Sequence, residues 1–330
     1  VRKALAFLIA ATLLGMGGCG KGSPTLPTPL PSPSAPPADS FPGPLHVEGE
    51  KWISPKGEVK LLGVIVCCMD YPQNGWPWVS DSFIQTISES GGNFTHFRLG
   101  PFTAQGEKPE FVAYKDAGNG RVDLSEWNDM FWQALANRLS VARSKGVYVE
   151  LDLIDSWVLE RPEIHPWYKE NNINGVNEGS CDTITRPITP LQERWLTKII
   201  DVTKGFDNVI YQVSNESFDC GRKLQDEWEI SIIDFVHRLH PRALVGTNSG
   251  RDSIAASADY VEDHGYFAQP PRGKPFMVNE YGADLTPEEI KREMEQARAI
   301  GSSFHYWRGG HDDVSFSKTL EYLRSIVSSS

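Results

Sequence analysis

The sequence predicts an α/β fold, a (β/α)8 TIM barrel, on three observations. Apolar, β-branched runs alternate with segments of helical period along residues 45–330, the signature of repeated β-α units around a parallel sheet. Those runs number eight. The chain has 330 residues, 40% of them apolar, and ten tryptophans, enough for one large buried core. A single barrel of roughly 250 residues fits within it.

The candidate strands are residues 61–67, 93–99, 147–153, 208–214, 243–247, 260–264, 275–280 and 303–307. Each is a short run rich in Val, Ile, Leu or aromatic residues, bounded by polar or turn-forming positions. The helical patterns between them are 81–90, 125–145, 189–204, 223–239, 286–299 and 317–327. Thr286-Pro-Glu-Glu289 gives one of these helices a capping residue, a proline at its first position and acids in its first turn. The units after strands five and six are short, with a helix only at 251–257. A hairpin over 46–58, turning at Pro55-Lys-Gly57, is expected to cover the barrel's lower end. Residues 100–123 and 154–187 read as long loops after strands two and three, of the kind that shape a cleft.

The N-terminus reads differently. Residues 1–19 combine a basic start, a short apolar stretch and Gly17-Gly18-Cys19, which is an export signal too short to span a bilayer. The small residues before Cys19 resemble a bacterial lipoprotein box, in which that cysteine is lipidated and becomes the mature N-terminus. Ordinary secretion with cleavage nearby is the alternative. Residues 20–44 hold nine of the 23 prolines and read as an extended linker of about 3.1 Å per residue. The expected organisation is a signal peptide (1–19), a linker (20–44) and a catalytic domain (45–330), placed outside the cytoplasm of a bacterium. Export permits disulfides. Cys181 and Cys220, both in loops expected to lie side by side, are the favoured pair. Cys67 and Cys68 are neighbours on a strand and point to opposite faces. Free buried thiols are the other reading.

The net charge of -11 and pI near 5.3 exclude the basic surface that a nucleic-acid partner needs. No His-x-His or His-Glu-x-x-His spacing suggests a metal, and no Gly-rich phosphate loop suggests a nucleotide. No cofactor is expected, and the chain is expected to act as a monomer.

Two glutamates each close a short apolar run: Glu216 in Asn208-Val-Ile-Tyr-Gln-Val-Ser-Asn215-Glu216, and Glu280 in Lys274-Pro-Phe-Met-Val-Asn-Glu280-Tyr281-Gly282. Carboxyls at the C-terminal ends of buried parallel strands stand where barrels carry their chemistry. Two of them about 5 to 5.5 Å apart can serve as acid and nucleophile at one glycosidic bond. Asn177-Glu178 repeats the dipeptide in a Gly/Asn-rich loop with no preceding strand, and is set aside. The plain alternative is two solvated strand-end acids.

At this point the chain resembles a clan A glycoside hydrolase, closest in pattern to glycoside hydrolase family 5, over about residues 46 to 328. The resemblance makes Asn215-Glu216 the strand-four pair with the acid/base, and Glu280 the strand-seven nucleophile. It matches Arg98 in His96-Phe-Arg-Leu-Gly-Pro101 to the arginine that ends strand two. It matches His264-Gly-Tyr266 after strand six and Trp307 on strand eight. Physically, Arg98 would keep Glu280 ionised and the Tyr266 hydroxyl would donate a hydrogen bond to it. Asn215 would bond the sugar 2-hydroxyl, and His264 a sugar hydroxyl or a carboxyl. Each residue also has a mundane use: a structural ion pair, a satisfied core histidine, a packed ring. One departure stands out, for Ile154 occupies the place where family 5 members often carry a strand-three histidine.

Trp76, Trp78, Trp157, Trp167 and Trp307 fall on or beside loops of the expected active face, where flat rings stack on sugars. Trp127, Trp132, Trp195 and Trp228 fall in helical patterns and read as core. The expected activity is retaining, endo-acting hydrolysis of a β-linked polysaccharide of the glucan or mannan type by a membrane-anchored lipoprotein. The rivals are a surface glycan-binding lipoprotein without turnover and an exo-β-glycosidase or transglycosylase.

Overall fold

The computed structural model describes residues 41–66, 80–99, 112–155, 159, 161–179, 188–215, 225–248, 252–264, 273–281, 286–299, 302–308, 321, 323 and 324. The strands are β1 (His46–Glu48), β2 (Lys51–Ser54), β3 (Gly57–Val59), β4 (Leu62–Val66), β5 (Phe94–Arg98), β6 (Tyr114–Gly118) and β7 (Arg121–Trp127). They continue as β8 (Tyr148–Asp152), β9 (Val209–Gln212), β10 (Val245–Thr247), β11 (Tyr260–His264), β12 (Phe276–Tyr281) and β13 (Ser303–Arg308). The helices are α1 (Asp81–Glu89), α2 (Asp129–Ser144), α3 (Pro190–Thr203), α4 (Gln225–Leu239), α5 (Asp252–Ala255) and α6 (Pro287–Ala299).

Eight strands close a barrel in the order β4-β5-β8-β9-β10-β11-β12-β13, and β13 pairs back onto β4. Every pair in the ring is parallel. Each of the eight expected runs overlaps one barrel strand. Helix starts follow from local chemistry: the Ser80 side chain accepts from the Phe83 N–H before α1, and Asn128 accepts from Met130 before α2. At α3, Thr189 and Gln192 form a capping box with Pro190 in the first turn. Thr286 and Glu289 exchange the same pair of bonds at α6.

The strands alternate as a barrel requires. On β8, Val149 and Leu151 pack outward with Trp195, Leu196, Ile199 and Ile200 of α3 and with the aromatic face of α2. Tyr148, Phe94, Ile210, Tyr260 and Met277 form a separate cluster with Phe41, Leu45 and Trp52. These residues stand at the N-terminal ends of their strands, so the segment before β4 plugs that end of the barrel. Trp52 meets Tyr260 with ring centroids 4.9 Å apart.

Above that plug the interior turns polar. The Tyr260 hydroxyl donates to Glu150 Oε1 at 2.6 Å and to the Tyr211 carbonyl at 2.8 Å. Glu150 Oε2 lies 2.7 Å from His96 Nδ1 on the neighbouring strand, and Gln212 Nε2 donates to Glu262 at 3.0 Å. Gly246 makes room for this arrangement, because a Cβ there would stand 2.2 Å from the Tyr260 ring.

Four expectations are corrected. The segment 46–58 is a three-stranded antiparallel meander, with turns at Gly49-Glu50 and Pro55-Lys56, rather than one hairpin. Residues 100–123 are not all loop, since β6 and β7 pair there around Asn119 and Gly120. The pattern over 125–145 starts its helix late: Ser125 to Trp127 belong to β7, where Trp127 pairs with Tyr114, and Asn128 caps α2. Trp167 is no sugar platform. It is fully buried, its indole N–H donates to the Tyr114 hydroxyl at 3.1 Å, and its ring meets Trp195 edge-on.

Trp132, Trp195 and Trp228 are core as expected. Trp127 lies on β7, stacked 4.8 Å from Tyr114 under the Arg194 guanidinium.

Candidate active site

The C-terminal ends of the parallel strands define one rim, and five of the residues singled out in the sequence, Arg98, Asn215, His264, Glu280 and Trp307, stand along it. Arg98 ends β5, Asp152 ends β8, His264 ends β11, Glu280 is the penultimate residue of β12 and Trp307 that of β13. Asn215 follows β9 by three residues and is buried. The N-terminal ends of the same strands are covered by the basal cluster, so the rim lies at the opposite end of the barrel. Glu216 comes directly after Asn215 and lies outside the described residues. So do Tyr266, Trp76, Trp78, Trp157, Cys19, Cys181 and Cys220.

On β12 the regular register breaks where the candidate nucleophile sits. Val278 pairs with Phe304 and Tyr281 with Tyr306, so β12 spends three residues where β13 spends two. The extra residue lies within Asn279-Glu280. Bulges of this kind re-aim side chains beside active sites. His264 is in register with Asn279 on the adjacent strand.

The described charges on the rim come from β5 and β8. Arg98 donates from Nε at 2.8 Å and from Nη2 at 2.5 Å to the same oxygen of Asp155, whose side chain is almost wholly buried. Asp155 lies three residues past the end of β8, in the turn after Leu153-Ile154. Between the two strands Asp152 is fully buried and register-paired with Arg98. Burial holds its carboxyl well above the usual carboxylate range, and the negative charge of Asp155 adds to that. His96, Arg98 and the N–H of Asn215 pull in the other direction. Among the described residues no group of three or more His, Cys, Asp or Glu could hold a metal ion.

No family model matches the chain, and no curated protein matches it either. Solved structures do. A candidate glycoside hydrolase from Bacteroides vulgatus superposes with a TM-score of 0.64 at 16% identity, over 89% of this chain, which spans 63% of that protein. A β-mannanase from the blue mussel Mytilus edulis gives 0.56 at 13% identity, over 87% of this chain and 97% of the mannanase. A glycoside hydrolase family 5 mannosidase from Rhizomucor miehei gives 0.56 at 11% identity, covering 88% and 99% of the two chains. The fold is the (β/α)8 barrel that these glycoside hydrolases also have.

Within this barrel, the Arg98 ion pair adds a residue to which the sequence assigned no role. Arg98 was expected to face Glu280, and its described partner is Asp155. The signal was present in the sequence: a carboxylate just beyond a strand, beside the strand that ends in an arginine. The same stretch contains Ile154 at the position expected for a histidine. Ile154 is buried against the α2–α3 side of the core, so an apolar contact stands there.

Proposed function

We propose that the protein is a retaining glycoside hydrolase acting on a β-linked polysaccharide of the mannan or glucan type. The observation that carries the reading is the strand position of two glutamates. Glu280 stands at the C-terminal end of β12, and Glu216 follows the buried Asn215 just past β9, three strands away around the ring. In this reading Glu280 attacks the anomeric carbon while Glu216 protonates the departing oxygen. Glu216, then a base, activates the water that releases the sugar. Neither step needs a cofactor.

Each carboxyl's charge sets the other's proton affinity. An ionised Glu280 raises the pKa of Glu216, and glycosylation of Glu280 removes that charge so that Glu216 can act as a base. A bell-shaped pH dependence of kcat/KM follows. Asn215 is assigned the sugar 2-hydroxyl, His264 and Tyr266 the polar contacts around the nucleophile, and Trp307, with Trp76, Trp78 and Trp157, the stacking surfaces. Similarity of fold to the blue mussel mannanase and the Rhizomucor miehei mannosidase favours mannan as the first substrate to try. Cleavage within the chain is proposed, with the enzyme held outside the cytoplasm through a lipid on Cys19 and the linker 20–44, and acting as a monomer. A Cys181–Cys220 disulfide is part of the same proposal.

The test is to incubate residues 45–330 with mannans, β-glucans, xylans and galactans and to follow the products over time. Internal cleavage yields a ladder of oligosaccharides, whereas an exo-acting enzyme yields a single small product. Binding without release from any of these would favour the glycan-binding alternative. Loss of product release in both Glu216→Gln and Glu280→Gln would support the assignment.

A further inference from the structure

We propose that Asp152 is a positioning residue whose Oδ1 holds the backbone N–H of Asn215, fixing the point at which the chain turns off β9 into Glu216. The proposal rests on the reading of Glu216 as the acid/base. The β8–β9 ladder shows why a side chain is needed at this place. Backbone pairing continues past the regular strands, with Leu153 N–H donating to Gln212 O at 2.9 Å and Ile154 N–H to Val213 O at 3.2 Å. On the other side, Val213 N–H donates to Gly246 O at 2.9 Å. One step later β8 has turned away. There the Asn215 N–H donates at 3.0 Å to the Asp152 carboxyl.

Both residues are buried, Asp152 at 0% exposure and Asn215 at 1%, so water cannot replace the bond without cost. A buried N–H without an acceptor is rare, and the short Asp side chain is the acceptor supplied here. The same carboxyl is flanked by the Arg98–Asp155 pair, which ties the turn after β9 to the charges at the ends of β5 and β8. Burial and the Asp155 charge favour a neutral Asp152. A neutral acid acts here through its carbonyl oxygen, which an asparagine also has.

That equivalence gives the test. Asp152→Asn keeps the acceptor and the shape, while Asp152→Ala removes the acceptor. Asp152→Leu removes it while restoring apolar volume, and serves if the alanine variant does not fold. In the full chain, amide hydrogen exchange at Asn215 is expected to stay protected in Asp152→Asn and to lose protection in the acceptor-less variants. On the glycan that the unmodified protein hydrolyses, Asp152→Asn is expected to keep its kcat. The acceptor-less variants should lose about 100-fold in kcat with little change in KM, the scale of a misplaced catalytic group. Unchanged protection of Asn215 without the acceptor overturns the proposal, as does an asparagine variant as impaired as alanine. If the unmodified protein hydrolyses none of the glycans, the glycosidase reading fails, and the exchange measurement still decides whether Asp152 holds the turn.

Discussion

Replacing Tyr260 with phenylalanine removes one oxygen from the barrel and should cost more than its size suggests. The hydroxyl donates to Glu150 Oε1 at 2.6 Å and to the Tyr211 carbonyl at 2.8 Å, both inside the closed barrel. Burial and the nearby Glu150 and Glu262 charges push the phenol well above its usual range, so it remains a donor at any ordinary pH. A bond to a charged acceptor contributes about 1.5 to 3 kcal/mol and one to a carbonyl about 0.5 to 1.5. The hydroxyl carries a single proton that the two contacts share, and phenylalanine removes that one donor without opening a large cavity. The expected loss is therefore about 1.5 to 3 kcal/mol, or roughly 2 to 5 °C in Tm for a domain of this size. Tyr148→Phe is the internal control, since its hydroxyl donates at 2.8 Å to the neutral Gly43 carbonyl near the barrel's edge. Its loss should be about 1 kcal/mol. Urea unfolding of the two variants beside the unmodified protein measures both. Equal losses, or a Tyr260 variant as stable as the parent, would refute the reasoning that a polar bridge across the barrel interior contributes this much.

Gly246→Ala tests the same bridge from the other side: its Cβ would fall 2.2 Å from a Tyr260 ring pinned at its hydroxyl, so a loss of about 1 to 3 kcal/mol or more is expected. Gly205→Ala, with open space around the new methyl group, should change unfolding free energy by less than about 1 kcal/mol, and similar losses in both would count against the steric account. His165 supplies an acid-stability prediction, because burial lowers its pKa from 6.5 to about 3 and its Nδ1 accepts from the Trp167 N–H. The unfolded chain takes up a proton that the folded one refuses, so stability present above pH 6.5 is lost as pH falls toward the folded value. The loss should reach about 2 kcal/mol by about pH 5, and His165→Gln should remove that part of the slope in urea titrations. An unchanged slope would show that His165 protonates freely in the folded protein.

The barrel was legible because its signal repeats. Eight runs of the same character, each about as long as a strand, cannot be mistaken together even when the ends of one are. Features made by a single local event were harder. The Ser125–Trp127 stretch has helix-compatible residues, and only the Asn128 cap marks where β7 gives way to α2. Trp167 sits in a loop by sequence, yet the β6–β7 hairpin and α3 enclose it. That environment is made by segments distant in the chain. The same holds at the rim. Strand ends could be read one at a time, which placed Arg98, His264, Glu280 and Trp307 on one face. The partners that strands exchange across the barrel could not, and so the Arg98–Asp155 pair and the Asp152 contact to Asn215 emerged only with the register.

The most direct test of the glycosidase reading is the mass of the peptide carrying Glu280 after incubation with an activated 2-deoxy-2-fluoro-β-glycoside of the sugar released from the polysaccharide panel. A retaining reaction with Glu280 as nucleophile is expected to halt with one fluoroglycosyl group attached to that residue. An adduct on a different carboxylate, or a protein that hydrolyses the glycan with inversion and never becomes labelled, would contradict it.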